Sequence, residues 1–569
     1  MPILQLAGNG ESERGAVFTR PEVVAAILDL SGYRVDAPLH GKRLLEPSFG
    51  GGDFLLPALD RLLEAWRRDG RGPAFAQEDL AESIRAVEVH RESIDRVSLL
   101  IRQRLGEAGI AERDACALCE RWLIQDDFLL TGLDGEFDFV VGNPPYVRQE
   151  RIPAVLLGAY RSRFRTLYDR ADLYVPFYER ALDVLSGGGT LGFICANRWL
   201  KNKYGGPLRK KISEAYRLVY FLDMEGVDAF HSDVIAYPAI TIIRRQPGGS
   251  GTQPTRVANP ARLAGVGLSA VVSKLCEPLP DQGFVSQVDL GGSGDAPLLL
   301  DDIPRLALLR RLEHAWPTLE EAGCKVGIGV ATGCDRVMIG DFHALPVESE
   351  RKLPLAMAGD LRVGQVDWSG KGVLNPFEPD GRLVVLDDYP LFASYVRRHF
   401  DVLAKRHVAS RNRAGWYRTI DRITPELTSR PKLLVPDIKG EAMFVYDEGR
   451  YYPHHNLYFI TSMHWNLQAL QTVLRSSLSL MVVATYCTRM AGGFLRFQAQ
   501  YLRRIRLPRW EAVPGGLQRE LAALATAADQ DAIDDVVFAL YGLSNEERTD
   551  VRRIARAARV THASKGSRA

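Results

Sequence analysis

The chain has 569 residues, 46% hydrophobic and 25% charged, with a formal net charge of +2. This length exceeds one ordinary core and predicts at least two domains, and the composition argues against disorder. The near-neutral balance gives no sign of a polyanion-binding surface over the whole chain, so any nucleic-acid face must come from local Arg and Lys clusters.

Seven scattered cysteines point to a reducing compartment rather than a disulfide framework. Cys116 and Cys119 form a lone C-x-x-C without a second ligand pair, and read as helix residues rather than a zinc site. Glu11, Glu13 and Arg14 leave no apolar signal core, and no uncharged apolar run is long enough to span a bilayer. A cytoplasmic protein with no membrane contact is expected.

From Phe18 to Arg245 short apolar runs alternate with amphipathic stretches. In chain order the predicted strands are Arg43–Leu45, Ala86–Val89, Phe137–Val141, Thr190–Cys195, Leu218–Leu222 and Ala239–Ile243. Helices such as Leu55–Arg68 and Leu173–Leu185 lie between them. The alternation predicts an α/β, Rossmann-like domain over residues 1–245, its sheet mostly parallel with helices on both faces. Gln246–Arg256 has no apolar periodicity and reads as a linker, so residues 246–320 are taken as linker and connector. Residues 321–510 are aromatic-rich and mixed in pattern, predicting an α+β domain, and residues 511–569 predict a helical segment.

Asn143-Pro144-Pro145-Tyr146 follows the apolar run Phe137–Val141, which places Asn143 at the carboxyl end of a strand, where open α/β sheets bind ligands. An exocyclic purine amine is a poor nucleophile because its lone pair is delocalised into the ring. Acceptors for both its hydrogens, the Asn143 oxygen and the Pro144 carbonyl, favour the tetrahedral nitrogen of the transition state. The prolines fix the backbone, and Tyr146 offers a face for stacking. Taken alone, this tetrapeptide is equally an ordinary strand-to-loop turn. Glu46-Pro47-Ser48-Phe49-Gly50-Gly51-Gly52 joins a strand to a helix without the Lys-Ser/Thr of a phosphate-binding loop, and Glu46 is placed to hold an amino cation. Glu88 closes the second strand, as a ribose-binding acid does, or is a solvated strand-end carboxylate. Asp126 or Asp127 offers a carboxylate to an adenine amine, with Asp127 preferred because it precedes Phe128, whose ring offers a face. The conjunction of these motifs in strand order carries the argument.

Phe18-Thr19-Arg20-Pro21, the glycine turn, Glu88, Asp127-Phe128-Leu129, Asn143–Glu150 and Ala171–Phe177 together resemble the gamma class of amino DNA methyltransferases, most nearly the TaqI-like and Eco57I-like restriction-modification group. The resemblance implies a Rossmann-like S-adenosyl-L-methionine-dependent domain that methylates the N6 amine of a flipped adenine in double-stranded DNA. It implies cofactor contacts from Thr19, Glu46, Pro47, Ser48, Gly50, Glu88, Asp127, Phe128 and Asn143, and a separate restriction endonuclease as counterpart. Arg20 separates Thr19 from Pro21, where the family has Phe-Thr-Pro. Phe230, in Val227–Phe230, resembles the aromatic that stacks on the extruded base, with a core phenylalanine as the equal alternative.

Arg148, Arg151, Arg161, Arg163, Arg165 and Arg170 are candidate phosphate ligands beside this site, or a solvated face. Val326–Gly340, Lys432–Pro436, Gly449–Ile460 and Gly492–Trp510 resemble the group's target-recognition domain. Arg411, Arg413 and Trp416 interleave charge and ring as a DNA-contacting segment would. His454 and His455 are expected on opposite faces of a strand, structural or DNA-facing, so no metal site is expected. Glu350-Arg351-Lys352 loosely matches a nuclease E-x-K, but Pro280-Asp281 lies far upstream with no second acid placed for it, and with the motifs starting at Phe18 no fused nuclease activity is expected. Methylation of RNA or of protein glutamine, and a non-catalytic DNA-binding subunit, are the competing readings.

Overall fold

The computed structural model describes residues 18–224, 227–230, 238–246, 254–260, 266–278, 285–290, 294–300, 303–362, 364–439, 443–487 and 495–563. The chain divides into two compact units, Met1–Ile303 and Pro304–Ala569.

In the first unit the apolar runs become strands β1 (Leu44–Glu46), β2 (Ile84–Glu88), β3 (Leu123–Gln125), β4 (Phe137–Gly142), β5 (Leu185–Ala196), β6 (Tyr216–Asp223) and β7 (Pro238–Arg245). Strands β1 to β5 pair in parallel, and β7 runs antiparallel between β5 and β6. Every residue of β1 and β2 is buried, because helices cover both faces, so these strands read as continuous runs rather than alternating ones. Helix α1 (Pro21–Ser31) starts with proline and ends at Gly32, where the Gly32 and Tyr33 N–H groups return to the Asp29 and Leu28 carbonyls. Helix α2 (Leu55–Arg68) buries Leu55, Leu59, Leu62, Leu63 and Trp66 at helical spacing, and α3 (Tyr174–Asp183) carries the second predicted helix. Cys116 and Cys119 lie on the helix Glu112–Trp122, as expected.

The sheet does not stop at residue 245. Strand β8 (Thr255–Ala258) pairs in parallel with β6, and β9 (Ser286–Val288) pairs antiparallel with β8, completing the order β3-β2-β1-β4-β5-β7-β6-β8-β9. Helix α4 (Leu268–Cys276) buries Val271, Val272 and Leu275 in the same core as α1 and α2. The connector reading of residues 246–320 is therefore corrected for these elements, which take their place by pairing with the sheet or packing on it. Most of the Gln246–Arg256 linker, residues 247–253, lies outside the described residues.

The second unit contains two four-stranded sheets. One has the order β10-β17-β14-β15, built from β10 (Cys324–Ile328), β14 (Lys432–Pro436), β15 (Val445–Asp447) and β17 (Leu457–Ser462), all antiparallel. The other has the order β11-β13-β12-β16, from β11 (Ile339–Asp341), β12 (Lys352–Ala356), β13 (Lys371–Leu374) and β16 (Tyr452–Pro453). Helices α5 (Leu467–Arg475) and α6 (Ser477–Tyr486) begin at Asn466 and Ser476, whose side chains accept from the Ala469 and Ser479 N–H groups. The expected C-terminal helices are α7 (Gln530–Tyr541) and α8 (Asn545–Ala563). No single helix among the described residues is long and apolar enough to cross a membrane.

Lys432 is fully buried, and its Nζ donates to Asp447 Oδ2 at 2.7 Å and to the Thr428 and Arg430 carbonyls. Asp447 also accepts from the Arg450 and Tyr451 N–H groups. Removing one member strands a charge in the core. Asp447→Ala is expected to cost about 3–5 kcal/mol, read from the urea midpoint, whereas the paired change Lys432→Met with Asp447→Leu should cost less. Equal losses in both variants would contradict this buried pairing as the source of the cost.

Candidate functional site

Because β1 lies between β2 and β4 in a parallel sheet, the carboxyl ends of the three strands meet along one edge. Strand β1 ends in Glu46, and Pro47 and Ser48 lead into the glycine turn before α2. Gly52 closes that turn with φ +88, a conformation that side chains rarely adopt, and its N–H donates to the Phe49 carbonyl at 2.7 Å. Glu46 is 1% exposed, and its Oε2 finds no hydrogen-bond partner among the described residues. Burial, reinforced by Asp53 and Glu88, pushes its carboxyl well above the usual carboxylate range. Glu88, at the end of β2, accepts from Gly50 N–H at 2.9 Å through one oxygen. Its other oxygen accepts from Val89 N–H at 2.9 Å and His90 N–H at 3.1 Å. It thereby staples the glycine turn, a task that its position in the sequence does not reveal.

Beyond β4 the segment Asn143–Tyr146 has no regular secondary structure, and Asn143 Nδ2 donates to Thr19 Oγ1 at 3.2 Å. Thr19 N–H in turn donates to Asp53 Oδ2 at 2.8 Å, and its backbone forms a bridge with Phe230. Arg20, the departure from Phe-Thr-Pro, holds the segment that carries Phe230: its N–H and Nε donate to the Ala229 and Phe230 carbonyls, and its guanidinium pairs with Asp228. Phe230 is 6% exposed, and its ring meets Tyr146 edge-on at 6.2 Å. Burial keeps the Tyr146 hydroxyl protonated far above the usual phenol range, beside Cys195 and Tyr178. Thr19, the Asn143–Tyr146 segment and Phe230, distant from one another in sequence, are thus linked contact to contact. Asp53 and Arg20 were missed, because neither forms a motif by itself.

The acids after β3 behave differently. Both Asp127 oxygens serve the local fold, one accepting from Leu129 N–H at 2.8 Å and the other from the Tyr160 hydroxyl. Burial raises the Asp127 carboxyl above its ordinary range. Asp126 is half-buried and accepts from Asp127 N–H at 2.8 Å, which makes it the more open carboxylate. The Phe128 ring is 2% exposed and lies between Phe177 at 5.0 Å and the Arg180 guanidinium at 5.1 Å. Its face belongs to the core, contrary to the expectation of an open stacking surface.

Arg148, Arg151, Arg161, Arg163, Arg165 and Arg170 are all exposed, around the helix Ala154–Arg163. In the second unit Arg411 and Arg413 are exposed, while Trp416 is half-buried against Phe400 at 4.8 Å and Tyr417 at 5.6 Å. Arg406 orders this segment by donating to the carbonyls of Thr332, Trp416 and Arg418, each at 2.8 Å. His454 and His455 do not point to opposite faces. His455 sits in the turn after β16, where alternation no longer holds, and the ring centroids are 4.1 Å apart.

The donor set along the strand edge fits a ligand that carries an ammonium group and a diol. Glu46 has a buried oxygen without a donor, and Glu88 uses three of about four acceptor positions.

Residues 83–230 match the family described as Eco57I restriction-modification methylase, and residues 392–507 match the TaqI-like C-terminal specificity domain. The chain is 56% identical over 542 residues to the Type II methyltransferase M.PaeR7I of Pseudomonas aeruginosa, covering 95% of this chain and 94% of that one. It is 53% identical over 543 residues to M.XhoI of Xanthomonas vasicola, covering 95% and 100%. Its fold is similar to the Type IIL restriction-modification enzyme MmeI solved in complex with DNA, with TM-score 0.57, 12% identity, and coverage of 95% of this chain and 75% of that one. A methylase region of the Eco57I kind followed by a TaqI-like specificity domain, together with this identity over nearly the full length, makes the chain a member of the Type II restriction-modification DNA methyltransferases.

Proposed function

We propose that this methyltransferase transfers the methyl group of S-adenosylmethionine to the N6 amine of an adenine rotated out of duplex DNA, as the modification counterpart of a separate restriction endonuclease. One observation carries the reading: Asn143 is bonded to Thr19 at the strand edge that holds Glu46, and Tyr146 next to it faces Phe230.

When bound, S-adenosylmethionine supplies an electrophilic methyl group on a sulfonium. Glu46 holds the ammonium end, Glu88 accepts from the ribose, and Asp126 or Asp127 accepts from the cofactor's adenine amine. Asn143 is oriented by its bond to Thr19, so the oxygen end of its amide accepts one hydrogen of the target amine and the Pro144 carbonyl accepts the other. Both bonds strengthen as the nitrogen becomes tetrahedral, so they act on the transition state. Pro144 and Pro145 restrict the backbone of this segment by fixing φ. Tyr146 and Phe230 replace part of the stacking lost when the base leaves the helix. Arg148 holds backbone phosphates beside the site, and Arg411 and Arg413 do so from the specificity domain. Trp416, packed on Phe400 and Tyr417, keeps the segment that bears them in shape.

Labelled methyl transfer to duplex DNA, followed by mapping of the modified base, tests the assignment. Label in RNA, in protein or on cytosine would overturn it. Asn143→Ala should lower turnover by about 10²–10³-fold or more while cofactor affinity changes only a few-fold. Equal loss of both would remove Asn143 from its role at the target amine.

Glu46 yields a pH prediction. Its folded pKa lies above its unfolded value, so its contribution to stability is full below the ordinary carboxylate range and is lost as pH rises through the raised value. A bound ammonium reverses this by stabilising the carboxylate. Cofactor binding should therefore release a proton within that window, giving a calorimetric heat that depends on the buffer. Glu46→Gln should abolish the release and weaken binding. A buffer-independent heat in the unmodified enzyme would contradict the placement.

Arg411→Ala and Arg413→Ala should each weaken DNA binding and reduce the salt slope by about 1 without changing the methylated sequence. A changed sequence preference would make them base readers instead.

A further inference from the structure

We propose that Asp335, His454 and His455 bind one divalent transition-metal ion, zinc by preference, as a cross-link inside the specificity domain. His454 Nε2 lies 3.2 Å from Asp335 Oδ2 and 2.9 Å from His455 Nδ1, and the three ligand atoms all fall within 4.8 Å of one another. An ion with tetrahedral bonds of about 2.0–2.1 Å spaces its ligand atoms by about 3.3–3.4 Å, so the two spacings to His454 Nε2 need to open by only a few tenths of an ångström, and the Asp335–His455 spacing, within 4.8 Å, has to settle at the same value. Two imidazoles and one carboxylate suit zinc, with water as the fourth ligand.

The backbone holds these groups in place. His454 N–H donates to the Ala356 carbonyl at 3.1 Å, and His455 N–H to the Val330 carbonyl at 3.0 Å. A Cβ at Gly329 would fall 2.2 Å from the His454 carbonyl oxygen, so only glycine permits this approach of the two chain segments. The second Asp335 oxygen accepts from the Thr332 hydroxyl, the kind of outer support that orients a ligating carboxylate. His454 is 2% exposed and Asp335 48%, which leaves an entry path from solvent.

The ion would join the segment after β10 to the turn between β16 and β17. Thr332 in that segment also accepts from Arg406, which orders the stretch after Arg411 and Arg413. The cross-link is therefore tied through Thr332 and Arg406 to the Trp416–Arg418 stretch, and it stands independently of the methyl-transfer reading. Without an ion, a proton on His454 Nε2 shared between Asp335 and His455 would account for the same distances.

The test uses the untagged full-length protein, stripped with a chelator, dialysed and titrated with Co²⁺. The expected result is one ion per chain, a visible absorption band of a four-coordinate nitrogen–oxygen site, displacement by Zn²⁺, and a raised unfolding midpoint. His455→Ala and Asp335→Asn should each weaken binding at least about ten-fold. Absence of stoichiometric binding by the wild-type protein, or variants that bind as tightly as it does, would overturn the proposal.

Discussion

Parallel pairing of β1 to β5 puts their carboxyl ends on one edge of the sheet, and the placing of β1 between β2 and β4 makes neighbours of three residues far apart in the chain. Glu88, Glu46 and Asn143 stand side by side for that reason alone. Thr19 completes the edge, since its backbone reaches Asp53 and Phe230 while its hydroxyl receives Asn143. A glycine turn elsewhere in the fold would face no acceptor, and an Asn-Pro-Pro-Tyr segment on another edge would face no turn.

Electrostatics explains why this edge favours a cationic ligand. Three acids, Glu46, Asp53 and Glu88, surround one short turn, and mutual repulsion adds to the cost of burial. Glu88 is compensated by three backbone N–H groups, and Asp53 accepts from Thr19. Glu46 retains a buried oxygen without a donor, so it is the acid whose ionisation depends most on what occupies the site. Polar groups held in advance in a dry setting need no reorganisation when charge arrives, which is how such sites assist transfer chemistry.

The second unit uses buried charge for shape. Lys432 with Asp447, and Arg406 with its three carbonyls, satisfy hydrogen bonds that the surrounding loops cannot make themselves. These internal ties leave Arg411 and Arg413 exposed on an ordered segment. Trp416 is part of that support. Its ring is committed to Phe400 and Tyr417, so its exposure alone would not have revealed its role.

The sequence by itself determined whatever depends on residues close together in the chain. Helix α2 spans the predicted Leu55–Arg68, and strands β1, β2, β4, β5, β6 and β7 fall on the predicted apolar runs, because side-chain periodicity is a local property. The turn after β1 and the end of β4 before Asn143 were legible for the same reason, as stretches of consecutive residues. Only the tertiary structure decided which side chains meet through space: Arg20 with Asp228, Asp127 with Tyr160, Phe128 with Phe177, His454 with Asp335. Strands β8 and β9 are equally hidden, since they gain their place only by pairing with a sheet already formed. A hydrogen bond or ring contact is set by distance in space, and sequence separation carries almost no information about it.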